Sequence, residues 1–182
     1  MLVSQRGPVK LANRRSQTGA DTPLVDLNSY ISGYVDGEGC FCVSFQPSHR
    51  HRLRWEVRPS FSVSQNLDRS EVLYLIQDAW KCGSIRPDRS DKTLKYEVRS
   101  IEALTTTVVP HFRRFPLMSA KQADFEKFAE VCGAVNVGKH LTPEGFERIV
   151  RLAFEMNPSG KRKYPSGQIL NSRRLHRREV CA

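Results

Sequence analysis

Positions 30–39 read Tyr-Ile-Ser-Gly-Tyr-Val-Asp-Gly-Glu-Gly, a stretch with helical spacing that nevertheless contains glycine. A glycine inside a helix costs about 1 kcal/mol relative to alanine. Ser29, Gly33 and Gly37 recur at steps of four, so they lie along one ridge of the predicted helix. Because small residues let another backbone approach closely, we expect a second helix to pack against this ridge.

The same predicted helix, from about Leu24 to Asp36, is followed closely by a second carboxylate, Glu38. Asp26 and Asn28 are candidates for its N-cap. Negative charge is unfavourable at a helix C-terminus, where the macrodipole is itself negative. The sequence therefore predicts a compensating cation near this helix end.

Length and composition indicate a single domain with tails. The chain has 182 residues, 39% hydrophobic and 26% charged. No apolar run approaches the roughly 20 residues that span a bilayer, and no signal-peptide core is present, so we expect no membrane association. Five cysteines without framework spacing predict reduced thiols in an intracellular protein, in a bacterial cytoplasm or an organelle. The predicted division is a flexible basic arm at 1–22, a folded domain at 23–157 and a disordered basic tail at 158–182.

The net charge of +10 is unevenly distributed along the chain. Residues 1–22 contribute +3 and residues 160–182 contribute +6, which leaves only +1 for the middle. Two solvated tails would account for most of this basicity. Within the middle, however, the segments 44–64 and 81–99 each carry three surplus positive charges, and both are predicted to contain strands.

Two pairs of alternating segments predict an antiparallel sheet with an apolar inner face and a polar outer face. The first pair is 40–46 and 54–64, in which Pro59 indicates a sheet edge or a bulge, and the second is 84–89 and 94–99. Arg, Gln and Glu can read bases in the major groove of DNA, although a solvated sheet face would also be polar. The side chains predicted to contact DNA are Cys42, Ser44, Gln46, Arg52, Arg54, Glu56, Arg58, Ser60, Ser62, Ser84, Arg86, Asp88, Lys95, Glu97 and Arg99.

Helices are predicted to separate and follow these strand pairs. A capping-box pattern at 68–71 opens a second helix with the apolar stripe Val72, Leu75, Ile76 and Ala79. Further helices are predicted at about 101–112, from a cap at Ser119, and from Thr142-Pro143 to Met156. The fold class is therefore α+β, in the order αββαββα, with a four-stranded antiparallel sheet and helices on one face.

The segment Ile31–Gly39 resembles the LAGLIDADG motif of homing endonucleases, with Ser32 and Glu38 as departures from the letters of the name. Similar segments at 61–69, 115–122 and 140–157 extend the resemblance over most of residues 24–157. In that family the motif helices pack in pairs, and the sheet face reads DNA. The resemblance implies that Glu38 binds a divalent metal, for which we expect Mg²⁺ with the Gly37 carbonyl as a second ligand. Asp36 is expected to form hydrogen bonds at the helix end.

The resemblance also assigns residues to the pocket around the scissile phosphates. It implies that Gln65 and Arg69 order the waters there; without it, both would be interpreted as surface residues. The family's pocket lysine aligns with Ser119, and the nearest lysine is Lys121, which we therefore predict as the catalytic lysine.

One copy of the motif supplies half a site. This predicts a homodimer with Ser29, Gly33 and Gly37 at the interface, which would recognise a long near-palindromic double-stranded target. The resemblance implies Mg²⁺-dependent phosphodiester hydrolysis that leaves short 3′ overhangs.

A noncatalytic nucleic-acid binder is the alternative, either an RNA maturase that assists intron splicing or a DNA-binding regulator. The acid at Glu38 favours a nuclease, whereas the lack of lysine at position 119 leaves room for a binder. A zinc site at Cys40, Cys42, His49 and His51 is disfavoured because no Cys-x-x-Cys spacing is present. A Cys-His protease pair is set aside because no motif orients it.

Overall fold

The computed structural model describes residues 26–88, 92–157 and 160–171. The predicted arm at 1–22 and the final residues 172–182 lie outside the described residues. Helix α1 (Leu27–Glu38) leads into strands β1 (Gly39–Pro47) and β2 (Trp55–Asn66), and helix α2 (Glu71–Trp80) leads into strands β3 (Ser84–Pro87) and β4 (Thr93–Val98). The helices that follow are α3 (Ile101–Ala103), α4 (Val109–Arg114), α5 (Lys121–Asn136) and α6 (Pro143–Glu155). None of the helices in the described ranges combines the length and apolar character that crossing a membrane requires.

The strands form one antiparallel sheet in the order β1-β2-β4-β3, which confirms the predicted fold class. Strand β2 pairs with β1 from Trp55 to Val63, but with β4 only from Phe61 onward. Pro59 therefore lies where β2 has a strand on one side only within the described sheet. That position suits a residue without an N–H and confirms the predicted sheet edge.

The inner face of the sheet packs against the helices. Phe41 on β1 meets the rings of Phe61, Phe112, Phe125 and Phe128, with centroids 5.2–5.8 Å apart across this group. All five rings are essentially excluded from solvent. The period-two alternation of the strands thus places one continuous apolar layer under the helices and leaves the polar side chains on the opposite face.

The predicted capping box of α2 is wrong. Asp68 lies in a 3₁₀ turn (Leu67–Arg69), and Ser70 occupies the cap position without a side-chain cap bond. The buried stripe of α2 includes Leu73 and Trp80, while Ala79 is exposed. The helix therefore presents a face rotated from the predicted one. The large Trp80 ring provides a physical reason, since it packs against Phe61 and His111.

Between α3 and α4 the chain is π-helical over Leu104–Val108, so 101–114 is helical throughout, as predicted. Thr105 and Thr106 donate hydroxyl hydrogen bonds of 2.8 Å to the carbonyls of Ile101 and Glu102. Hydroxyl groups that bond back to these carbonyls compete with the regular helical ladder. This competition is consistent with a widened turn at the threonine run.

The expectation of a disordered tail after Asn157 is wrong for residues 160–171. Arg162 donates to the carbonyls of Val43 (3.3 Å), Met156 (3.0 Å) and Ala153, and Asn157 Nδ2 donates to the Phe41 carbonyl at 2.7 Å. Ile169 is only 1% exposed. Because β1 is an edge strand, this segment covers carbonyls that would otherwise be available to another strand.

Candidate DNA-binding and cleavage site

The C-terminal end of α1 is held by a lysine from α5. Lys121 Nζ donates to the carbonyls of Val35 (2.9 Å), Gly37 (3.3 Å) and Gly39 (2.7 Å). This ammonium is the compensating cation expected at the helix end, because it lies against carbonyls at the negative end of the helix dipole. The predicted catalytic lysine therefore lies beside the motif, where its described hydrogen bonds serve the backbone.

Asp36 on α1 binds in return the chain just before α5. Its carboxylate accepts hydrogen bonds from the backbone N–H groups of Met118 and Ser119, both at 2.9 Å, and from the Ser119 hydroxyl. Partial burial acts to raise the pKa of Asp36, but these hydrogen bonds and the Lys121 charge outweigh it and hold the pKa below the usual value. The expectation that Asp36 is a hydrogen-bonding residue of the helix end is confirmed.

Glu38 is the last residue of α1, and its side chain is exposed. An exposed carboxylate suits Mg²⁺, which binds through one or two carboxylates, waters and substrate phosphates. The adjacent Gly37 carbonyl accepts the Lys121 hydrogen bond with one of its two lone pairs. A metal ion could therefore use the remaining one, and the donor set fits the expected group. No cluster of three or more His, Cys, Asp or Glu side chains that could hold a metal ion occurs within residues 26–88, 92–157 and 160–171.

Gln65 is connected to α1 through a residue that the sequence reasoning missed. Its Nε2 donates to the Tyr34 hydroxyl at 2.5 Å, and its Oε1 accepts from the Asn66 N–H at 2.8 Å. Burial raises the pKa of Tyr34, and the negative charge of Glu38 adds to this effect. Tyr34 precedes Glu38 by four residues, so this helical spacing could have identified it.

Arg69 lies apart from these contacts. It is exposed in the 3₁₀ turn that follows β2, and it makes no hydrogen bond or ion pair to the described part of the chain. Its side chain therefore keeps all its donors for a phosphate. Its pocket role stays a prediction.

The outer sheet face carries the predicted DNA contacts in rows that the strand register defines. Across β1 and β2 the rows are Gln46–Glu56, Ser44–Arg58 and Cys42–Ser60. One row crosses all four strands and contains Cys40, Ser62, Glu97 and Ser84. Another crosses only β2, β4 and β3 and contains Ser64, Lys95 and Arg86. The exposed Cys40 and the partly exposed Ser64 belong to this face although neither is among the predicted contacts. The predicted DNA contacts that lie on the strands therefore share one face of the sheet.

Arg52 and Arg54 lie in the turn between β1 and β2, so the expected place of Arg54 on the strand is wrong. Arg54 has a positive φ of 64°, and its guanidinium lies 3.4 Å from His49 Nδ1. Together with Arg50 and His51 they line a shallow basic concavity at the tip of this hairpin. Asp88 and Arg99 are exposed just beyond β3 and β4.

Glu97 and Ser62 differ from the other residues of this face because both are buried, each with 7% exposed. The Glu97 carboxylate accepts hydrogen bonds from Arg86 Nη2 at 2.6 Å and from Arg99 Nη2 at 3.1 Å, and Arg99 Nε lies 2.9 Å from Oε2 as an ion pair. A second pair, Glu56 and Arg58 at 2.8 Å, is much more exposed. The expectation that Glu97 and Ser62 are exposed DNA contacts is therefore wrong with respect to the exposure of their side chains.

The glycine ridge of α1 leaves open space where side chains would stand, as far as the described residues show. A Cβ built on Gly33 or Gly37 would have no other atom within 4 Å among the described residues. Ser29, at the start of the ridge, donates its hydroxyl to the N-cap residue Asp26 at 2.5 Å. The side of α1 with Gly33 and Gly37 is consequently open to a partner backbone.

An exposed acid at the end of α1 and a polar face on a four-stranded antiparallel sheet characterise this α+β protein. A family model described as LAGLIDADG endonuclease matches residues 31–132. The chain belongs to the LAGLIDADG endonuclease family, as the sequence resemblance predicted.

Solved structures and curated proteins agree with this assignment. The structure titled as the archaeal intron-encoded homing endonuclease I-Vdi141I complexed with DNA superimposes with a TM-score of 0.75 at 27% identity, covering 81% of this chain and 94% of that one. Among curated proteins, a probable intron-encoded endonuclease 3 of Neurospora crassa is 34% identical over 156 residues, covering 85% of this chain. The homing endonuclease I-ApeII of Aeropyrum pernix is 33% identical over 106 residues, which is 58% of this chain and 62% of that protein. The chain spans only 29% of the length of the Neurospora crassa relative and 38% of another from that organism.

Proposed function

We propose that this chain is a site-specific homing endonuclease that hydrolyses double-stranded DNA with Mg²⁺. The single observation that carries the proposal is the exposed Glu38 at the end of the glycine-bearing helix α1, next to a polar four-stranded face. The metal, when bound, would neutralise charge on the scissile phosphate and supply hydroxide near neutral pH. Glu38 and the Gly37 carbonyl would hold it. Gln65 and Arg69 would orient the phosphate and its waters.

The proposed active form is a dimer that contains one α1 helix from each copy. The open glycine ridge supports a homodimer in which each copy cleaves one strand of a near-palindromic target and leaves short 3′ overhangs. Lys121 acts in this proposal through the helix end, because its ammonium fixes the three carbonyls that flank Glu38. It is therefore proposed as a positioning residue, which differs from the catalytic role predicted from the sequence.

Replacement of Glu38 tests the proposed chemistry. The purified 182-residue chain is incubated with Mg²⁺ and a randomised duplex library, and the cleaved ends are sequenced. Glu38→Gln should reduce cleavage by roughly a hundredfold or more, a typical loss when a group that stabilises the transition state is removed. DNA binding should persist, because the substitution leaves the sheet face intact. Chelation of the metal should abolish cleavage by the unchanged protein.

Glu155→Gln is the matched control, since Glu155 is the exposed last residue of another helix, α6. It should cleave like the unchanged chain. If the unchanged chain and Glu38→Gln both bind DNA or intron RNA and neither cleaves, the result supports the noncatalytic binder instead. That outcome would reject the nuclease.

A further inference from the structure

Glu97 occupies the centre of the polar face but is shielded from solvent. It pairs across the sheet with Ser62 on β2 and Ser84 on β3. These neighbours are small, so they leave room beside the carboxylate for long side chains from adjacent positions. Arg86 and Arg99 fill that space.

The hydrogen bonds of Glu97 use both of its oxygens. Oε2 accepts from Arg86 and forms an ion pair with Arg99 Nε, and Oε1 accepts from Arg99 Nη2. A carboxylate occupied in this way is poorly placed to accept from a cytosine amino group. The two arginines, by contrast, are 52% and 64% exposed, and each guanidinium has five N–H donors, so further donors can reach a base edge.

The surrounding charges require a carboxylate here. Lys95 lies directly opposite Arg86 in the register of β3 and β4, and like charges at opposed positions destabilise a sheet. Arg99 adds a third cation just beyond β4. Glu97 offsets this repulsion and at the same time fixes the orientation of two of the three cations.

We infer that Glu97 is a positioning residue for base readout: it holds Arg86 and Arg99 in fixed orientations, so that these two arginines discriminate two base pairs and Glu97 reads none. The inference rests on the proposed function, because it assumes that this face reads DNA. A guanidinium that is already ordered loses less conformational entropy when it binds, which favours the correct base. Removal of the carboxylate would leave both arginine charges in place, but their guanidinium groups would no longer be held in fixed orientations.

Selection from a randomised duplex library without Mg²⁺ tests this inference with the full 182-residue chain. Arg86→Gln and Arg99→Gln should each lose about tenfold preference at one base pair, a typical value for a lost bidentate contact. Glu97→Gln should lose preference at both of those base pairs. Glu130→Gln is the control, because it also removes one carboxylate from an arginine pair, here with Arg148 on the helical side of the sheet, and it should keep both preferences.

A second readout separates positioning from a purely structural role. Affinity for a labelled duplex of scrambled sequence is measured over a salt titration. Glu97→Gln should bind this duplex more tightly, with a salt slope steeper by about one, because loss of the buried negative charge leaves an arginine free to pair with a phosphate. A merely misfolded sheet would lose affinity for every duplex.

Two results would overturn the inference alone: Glu97→Gln keeps both preferences, or it loses preference at a base pair that neither arginine reads. If the unchanged chain selects no sequence, the proposed base readout fails and this role fails with it. Should Glu97→Gln prove unfolded by circular dichroism, Glu97→Asp replaces it. Its side chain keeps the charge but is one methylene too short to hold both arginines, so at least one preference should weaken while affinity for the scrambled duplex stays the same. Retention of both preferences would again overturn the inference.

Discussion

His111 shows at the scale of a single residue how the fold determines a protonation state. The ring packs on Trp80, Phe112 and Phe115, and its Nε2 lies 3.3 Å from Ser32 Oγ on α1. Ser32 donates its own proton to the Phe115 carbonyl at 2.7 Å, so its oxygen can only accept from His111. The neutral imidazole therefore carries its proton on Nε2. Burial lowers the pKa of His111 to about 4, although the Asp26 charge partly opposes the shift.

This residue predicts how stability depends on pH. The folded-state pKa lies below the usual 6.5, so the folded chain resists a proton that the unfolded chain accepts. The stabilisation is complete above pH 6.5 and declines toward pH 4, by about 3 kcal/mol for a shift of this size. His111→Gln, which cannot titrate, should flatten the free energy of unfolding over this range, as urea denaturation at several pH values would measure. Parallel pH profiles for the two proteins would contradict the assignment.

At the scale of an element, helix α1 has one side with large buried side chains and another side with glycines. One side carries Ile31 and Val35, which are fully buried, and the other carries Gly33 and Gly37, where an added Cβ would have no described neighbour within 4 Å. If the chain acted alone, larger side chains at these glycines would stabilise the helix. The ridge is useful only where a second backbone lies against it.

Replacement of one ridge glycine tests the paired helix. Gly33→Leu should convert a dimer into monomers, because a leucine side chain does not fit between backbones in contact, and sedimentation velocity would detect the change in mass. Gly133→Leu is the matched control, since Gly133 is a helical glycine on α5 that likewise has no atom within 4 Å of a built Cβ. It should leave the mass unchanged and stabilise its helix by up to about 1 kcal/mol. An intact dimer in the Gly33 variant would rule out packing on this ridge.

At the scale of the whole molecule, residues 160–171 connect α6 to the free edge of the sheet. Arg162 reaches carbonyls of β1 and of the end of α6, and its guanidinium lies over the Phe154 ring at 4.6 Å. Tyr164 packs on Trp55 at the start of β2, with ring centroids 5.0 Å apart. This segment therefore joins strands β1 and β2 to the end of α6.

Substitution of Arg162 should weaken the whole domain. Arg162→Met removes charge-assisted hydrogen bonds to backbone carbonyls, each of which contributes about 1.5–3 kcal/mol, so we expect a loss of at least about 2 kcal/mol in the free energy of unfolding. Lys161→Met is the control, because Lys161 is exposed, and surface substitutions usually stay within about 0.5 kcal/mol. Urea denaturation would compare them. Equal midpoints for the two variants would show that the segment does not stabilise the fold.

Local periodicity was sufficient to predict the strands and most helices, whereas the role of Glu38 came from the motif resemblance. Alternation over 40–46, for example, follows directly from the two-residue repeat of a strand. It could not predict that Lys121 binds the end of α1, because that contact joins residues 86 positions apart. The burial of Glu97 was missed for a similar reason: it depends on Arg86 in another strand. Long-range contacts of polar side chains leave no periodic signal in the sequence.

The uneven pairing of β2 has a consequence for engineering new specificities. The half of β2 from Trp55 to Ser60 has only β1 beside it in the described sheet, so the rows there contain two residues, whereas the row through Glu97 crosses all four strands. Substitutions in the two-residue rows should alter the recognised bases one position at a time. Variants around Glu97 will instead have to be drawn from libraries that randomise Arg86, Glu97 and Arg99 simultaneously, because a change at Glu97 affects both arginines.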